Sequence, residues 1–234
     1  MYDCSYNYAD RELTVGDKVY ENVPHMITIC CQGAGGGGVN GLPANASGHG
    51  GAAGGFIAVN CFLGNDVTSF KITVGKGGEP INEGEAYFPL GEPSTVEINQ
   101  TIDLTNFENE KNPTFISHDG FKYTKLTSKL SFIAEGGGSY IDNNAKRVHK
   151  PGNGKIDATA TGYYQNGDII ETDKNSNYVL SSLFFKILFN AKGGMGGSGI
   201  YASPDENEWK NAYGTGAYFT AIEDSTYWPN IKTT

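Results

Sequence analysis

Residues 33–38 read "GAGGGG" one residue after the apolar run "ITICC", which matches the G-x-G-x-x-G spacing of a dinucleotide site. In such a site the glycines let the backbone close on a pyrophosphate, and a helix opening behind them offers free N–H groups to the anion. Here "VNGLPANASGHGG" follows, and its Gly, Pro and Asn do not open a helix. No acidic residue stands near residue 55 to take a ribose hydroxyl, and no glycine run closes on Lys-Ser or Lys-Thr as a P-loop requires. Calcium-binding glycine repeats place Asp among their glycines, and 33–55 contains none. The phosphate and calcium readings of this stretch therefore fail on chemistry.

The other residues able to do chemistry form no constellation. His25 precedes a strand-like segment, His149 sits in the basic patch "KRVHK", and His118–Asp119 lies in "SHDGF", which reads as a turn rather than an acid/base pair. His49 lies inside the glycine run, where an imidazole must find a partner or face water. Of Cys4, Cys30, Cys31 and Cys61, the adjacent pair points to opposite faces of a strand. Free thiols are the simplest reading of the four, with disulfides and a metal set as alternatives. Carboxylates are numerous, but no spacing pairs two of them for glycoside chemistry. We therefore expect no catalytic residue, no metal and no cofactor, and a protein that is not an enzyme. Contact chemistry is the better prospect: Trp209, Tyr213, Tyr227 and Trp228 lie in polar surroundings, where rigid aromatic rings supply area for a partner protein or a glycan.

The elements around these residues are short runs of Ile, Val, Phe, Tyr and Thr bounded by Gly, Asn, Asp or Pro, which predict strands. They fall at 25–31, 55–62, 69–75, 94–104, 121–126, 129–135, 181–189 and 216–223. One short helix is predicted at 203–213, with Ser203 as N-cap and Pro204 behind it. Residues 1–24 read as an N-terminal arm that docks on its own body or on another subunit, and 25–234 as one glycine-rich β domain. Two polar ranges, about 79–120 and 142–180, read as insertions on that domain. The first residues show no signal peptide and no apolar run reaches the length of a membrane helix. With a net charge of -9, nucleic acid and anionic membranes are disfavoured as partners.

Glycine clusters recur behind apolar segments, in "ITICCQGAGGGG", "ITVGKGGE", "FIAEGGGS" and "ILFNAKGGMGGSG". Extended glycine segments have no side chains to hold neighbours apart, so several can approach and bond laterally through backbone groups. That predicts a packed lattice of polyglycine II helices in which Gly35, Gly36, Gly37, Gly38, Gly50, Gly51, Gly54, Gly55, Gly193, Gly194, Gly196 and Gly197 are structural, with "LPANAS" as a turn between two of the segments.

The pattern "ITICCQGAGGGGVNG…GHGGAAGGFIAVN…FKITVGKGG", closed by "AKGGMGGSGI" at 191–200, resembles the glycine-rich domains of bacteriophage tail-fibre and other virion surface proteins. It is similar also to the glycine-rich extracellular region of some receptor tyrosine kinases. The likeness covers about 25–78 and 183–200, and departs from the pattern where "YASPDENEWKNAYGTG" intervenes before the last strand. It implies an all-β fold, a β-sandwich-like body with packed polyglycine II helices and polar loop insertions. It implies a virion location and a fibre or tail component that presents loops to a host-surface glycan or protein, or to neighbouring virion proteins, as a homo-oligomer. A carbohydrate-binding or carbohydrate-active module is the alternative.

Overall fold

A computed structural model describes residues 1–38, 51–79, 90–103, 115–116, 122–141, 147–163, 169–170, 181, 183–194 and 220–221. In chain order the strands are β1 (Tyr2–Asn7), β2 (Glu12–Val15), β3 (Lys18–Tyr20), β4 (Met26–Gln32), β5 (Phe56–Phe62), β6 (Asp66–Thr73), β7 (Ser94–Asp103) and β8 (Phe115–Ile116). They continue as β9 (Lys122–Tyr123), β10 (Lys125–Ala134), β11 (Gly138–Ile141), β12 (Arg147–Lys150), β13 (Gly154–Tyr163), β14 (Ile169–Ile170), β15 (Phe185–Lys192) and β16 (Thr220–Ala221).

Two antiparallel sheets face each other. The large one runs β14-β13-β10-β7-β6-β1-β2-β3 and the small one β16-β15-β5-β4, while β8–β9 and β11–β12 are separate ribbons. Residues 1–24 thus form three strands, joined to the body where Tyr2, Asp3 and Cys4 pair with Ile72, Lys71 and Phe70. The polar ranges 79–120 and 142–180 supply β7 and β13, two of the inner strands of the large sheet.

Alternation explains how these strands find their faces. Along β7, Val96, Ile98, Gln100 and Ile102 are buried while Glu97 is exposed and Asn99 and Thr101 are half-buried, the period of a sheet with one face on a core. Leu126, Leu130 and Phe132 of β10 continue the same inner rows, and Ile57, Val59 and Cys61 of β5 meet them from the small sheet. Phe132 is fully buried with the ring of Phe185 edge-on at 5.6 Å, and each such side chain contributes roughly 1.5–3 kcal/mol. One polar side chain crosses the sandwich: Gln100, 2% exposed, accepts from Gly64 N–H at 2.8 Å and donates through Nε2 to Phe62 C=O at 2.9 Å. Both ends of its amide are satisfied, as burial demands.

At one end of the sandwich the strands run into glycine segments that bond to one another. Gly33 N–H donates to Gly55 C=O at 2.8 Å, Gly36 to Ala52 at 2.9 Å, Gly137 to Ala34 at 2.8 Å, Gly91 to Gly137 at 2.7 Å, Gly152 to Ala53 at 3.0 Å and Gly193 to Gly152 at 2.9 Å. The predicted polyglycine II helices are not there: among the described residues the elements are strands, and the glycine segments belong to no helix. Their brevity is the physical reason. A three-residue turn repeats barely once or twice in 33–38 or 51–55, and Ala34, Ala52, Ala53, Glu92, Glu135 and Asn153 interrupt the runs. What holds is the lateral bonding itself, between extended segments. Gly35, Gly36, Gly37, Gly38, Gly51, Gly54, Gly55, Gly193 and Gly194 lie in these segments, whereas Gly50, Gly196, Gly197 and the "LPANAS" turn lie outside the described residues.

The lattice needs the absence of Cβ rather than an unusual backbone angle. A Cβ on Gly36 would come within 3.0 Å of the backbone of Gly137 and Gly138, whereas one on Gly35 would meet only Ala52 C=O, at 3.8 Å. Neighbouring residues therefore have opposite tolerances. Gly36→Ala is expected to lower stability by about 2 kcal/mol, the usual cost of forcing atoms into a filled space, or roughly 4–8 °C in Tm for a chain of this size. Gly35→Ala should be neutral or slightly stabilising, because Ala has fewer unfolded conformations to lose. Thermal melts of the two variants measure the difference, and equal effects would refute a lattice set by close approach.

Candidate functional site

The outer face of the large sheet carries the residues that the inner alternation leaves over. Lys71, Glu97, Ser131 and Asp157 form one row across β6, β7, β10 and β13, and Ser69, Asn99, Lys129 and Thr159 form the next. These side chains line a shallow, open cavity of about 350 Å³. Lys71, Glu97, Lys129 and Asp157 place both charge signs there, yet none of the four is joined in an ion pair with another. Hydroxyls, an amide, ammonium groups and carboxylates therefore face solvent as donors and acceptors. A face of this kind can bind a polar ligand; among the described residues no three His, Cys, Asp or Glu side chains converge on a metal position.

At the rim of this face Lys155 pairs with Glu135, which also accepts from the backbone N–H of Asn153 at 3.2 Å. The Lys155 bond, ahead of the opposing effect of burial, holds the Glu135 carboxyl below its ordinary range. This pair fastens the start of β13 to the glycine segment that follows β10.

A second cluster lies where the chain enters β4. The His25 ring stacks on Tyr8 at 3.8 Å between centroids, and its Nδ1 shares a hydrogen bond with the Tyr6 hydroxyl at 2.9 Å. Tyr6 is buried against the core, so this contact clamps β1 to the root of β4. Burial, and then the Arg11 guanidinium, lower the His25 pKa. Burial raises the hydroxyls of Tyr6 and Tyr8, which leaves the cluster neutral near pH 7.

The thiols are all free. Cys30 is exposed and Cys31 buried, as opposite faces of a strand require. Burial pushes Cys31 up to about 11 and Cys61 up to about 12, so neither supplies a thiolate at neutral pH.

Of the residues expected to make contacts, Trp209, Tyr213, Tyr227 and Trp228 lie outside the described residues, as do His49, His118 and the predicted helix at 203–213. His149 lies on β12, opposite Ser139. The polar face was not anticipated. Its signal was present in "STVEINQTID", where Glu97, Asn99 and Thr101 alternate with buried residues, but the partner rows on β10 and β13 are set by long-range pairing.

A family model described as a glycine-rich domain matches residues 17–228. No curated protein and no solved structure matches the chain.

The histidine clamp makes stability depend on pH. A histidine held below its ordinary pKa contributes stability that is complete above about pH 6.5 and is lost as pH falls through the lower folded value. His25→Phe keeps a ring against Tyr8 but cannot titrate. Urea midpoints measured at pH 7 and pH 5 should therefore fall less in the variant than in the natural chain; an equal fall would exclude His25 as the titrating group. Glu135 acts in a separate, more acidic window, because a carboxyl held low loses its contribution only below about pH 4.3.

Proposed function

The chain belongs to the glycine-rich domain family, and on that basis we propose that it is a structural and attachment protein of a virion, a fibre or tail component working as a homo-oligomer. The observation that carries this reading is where the connecting stretches begin and end. Segments 33–38 and 51–55 flank 39–50, segments 74–79 and 90–93 flank 80–89, and Gly137 and Pro151 flank the β11–β12 ribbon. Gly193 and Gly194 lead into the stretch that contains Trp209 and Tyr213. The roots of four stretches are thus tied into one lattice of backbone hydrogen bonds. Such a base suits presentation: it holds the ends of the connecting stretches together mainly through backbone hydrogen bonds. The partners would be neighbouring virion proteins and a host-surface protein or glycan.

The polar face of the large sheet favours a second reading, carbohydrate binding. Its unpaired carboxylates, amide and hydroxyls are the groups that exchange hydrogen bonds with sugar hydroxyls, and 350 Å³ is room for a small saccharide.

Mass spectrometry of washed particles from a virus that encodes this chain tests the first reading. The chain should be present in stoichiometric amount, and particles lacking it should adsorb to host cells at least ~10-fold more slowly; absence from the particles would refute the proposal. A glycan array tests the second. Glu97→Gln combined with Asn99→Ala should abolish any saccharide signal at unchanged Tm, and a signal that survives would place binding elsewhere.

A further inference from the structure

The two sheets do not end together. β15 lies over β13, β5 over β13 and β10, and β4 over β10 and β7, whereas the large sheet continues past β7 through β6, β1, β2 and β3. One inner row records where the cover stops: Phe132 is 0% exposed, Val96 6%, Ile72 half-buried and Tyr2 51%. Val74, just beyond β6, is 66% exposed. Cys4, Val15 and Ile72 are half-buried beside them. Among the described residues nothing covers this strip of apolar sheet face next to β4.

Among the described residues the edge of β4 beside this strip is unpaired. The register of β4 on β5 is constant, and His25 C=O accepts from Leu63 N–H just as Gly33 N–H donates to Gly55 C=O. The odd-numbered residues Ile27, Ile29 and Cys31 therefore bond to β5, and the N–H and C=O groups of Met26, Thr28, Cys30 and Gln32 point away from it. Among the described residues nothing bonds to those groups. The edge also lacks the usual defences: "MITICCQ" has seven residues, no charge and no proline, and its pairing to β5 shows no bulge. At the end of the large sheet beyond β1 and β2 the edge strand is β3, three residues long and bearing Lys18.

We propose that the β4 edge is a strand-addition site that accepts one extended segment of a partner protein, uncharged and with alternate apolar side chains. The incoming backbone bonds to the outward groups of Thr28 and Cys30, and its inward side chains cover Tyr2, Ile72 and Val74. Geometry selects a lone strand over a second copy of this chain. Joined edge to edge through β4, a second copy would bring its own β7 to the place that β6 holds, and the β6-β1-β2-β3 wing blocks it. This site is independent of whether the chain is a virion component.

Hydrogen exchange on the intact chain reads the edge directly. The amides of Thr28 and Cys30 should exchange at least ~100-fold faster than those of Ile27, Ile29 and Cys31. An acetylated, amidated heptapeptide alternating threonine with valine should slow them saturably. Thr28→Pro removes one outward donor without touching the bonds to β5, and should weaken the peptide at least ~10-fold. Thr28→Val keeps that donor, loses only the Oγ1 contact to Asn60, and should bind as the natural chain does. Slow exchange of Thr28 and Cys30 in the free, dilute chain would mean that another part of the chain covers the edge, and slowing only with self-association would mean a second copy does. Either result overturns the proposal, as does failure of the peptide to bind at millimolar concentration or equal binding to both variants.

Discussion

Everything at one end of this molecule depends on backbones approaching more closely than side chains permit. Gly33 and Gly54, Gly36 and Gly51, and Gly91 and Gly136 each stand so that a Cβ on one would fall within 3.0 Å of backbone in the facing segment. Hydrogen bonds between segments then satisfy groups that burial would otherwise leave unpaired. None of these glycines adopts the left-handed conformation; among the described glycines only Gly16 does, in the turn between β2 and β3. The conformational entropy that glycine loses is offset by packing that no larger residue could reach, and the alanines at 34, 52 and 53 fall where the lattice has room for a methyl group.

From that constraint the sandwich follows in order. Strands of both sheets end in the same lattice, so the sheets are tied together at one end without a covalent bridge, and the thiols stay free. Away from the lattice the sheets are held by core side chains and by the Gln100 amide, which fastens β7 to the chain leaving β5. The wing made by residues 1–24 is held more lightly. It rests on three paired residues and on the Tyr6–His25–Tyr8 cluster, so its attachment responds to protonation of an imidazole, whereas the side-chain clamps described at the lattice end use carboxylates, Glu135 with Lys155 and Glu92 with the Lys76 N–H.

What the sequence made legible follows from how local each signal is. The segments 25–31, 55–62 and 94–104 emerge as β4, β5 and β7 within one residue at each end, because β-branched alternation is written in consecutive residues. β13 was invisible: its inner positions Ala158 and Ala160 are small, its outer ones Lys155, Asp157 and Thr159 are polar, and only pairing with β10 makes it a strand. The separate predictions at 121–126 and 129–135 merge largely into β10, which Lys125 and Lys129 do not interrupt because both lie on the outer face. The glycine runs announced close packing but not its form. Polyglycine II needs unbroken length, and the substitutions that shorten these runs are evident only once it is clear which segments face one another. The polar face depends on register across four strands, and register is not a local property.

The mismatch between an eight-stranded and a four-stranded sheet is more than an irregularity of outline. A sandwich whose layers matched would bury Tyr2 and Ile72 and leave β4 an inner strand. Here the long sheet supplies a floor and the short sheet supplies an edge, and the two meet at the rim of β4. The same wing that leaves this floor uncovered also prevents a second copy from closing over it. Exposure and protection thus come from one wing, β6 with residues 1–24, whose own edge strand β3 is short and carries Lys18.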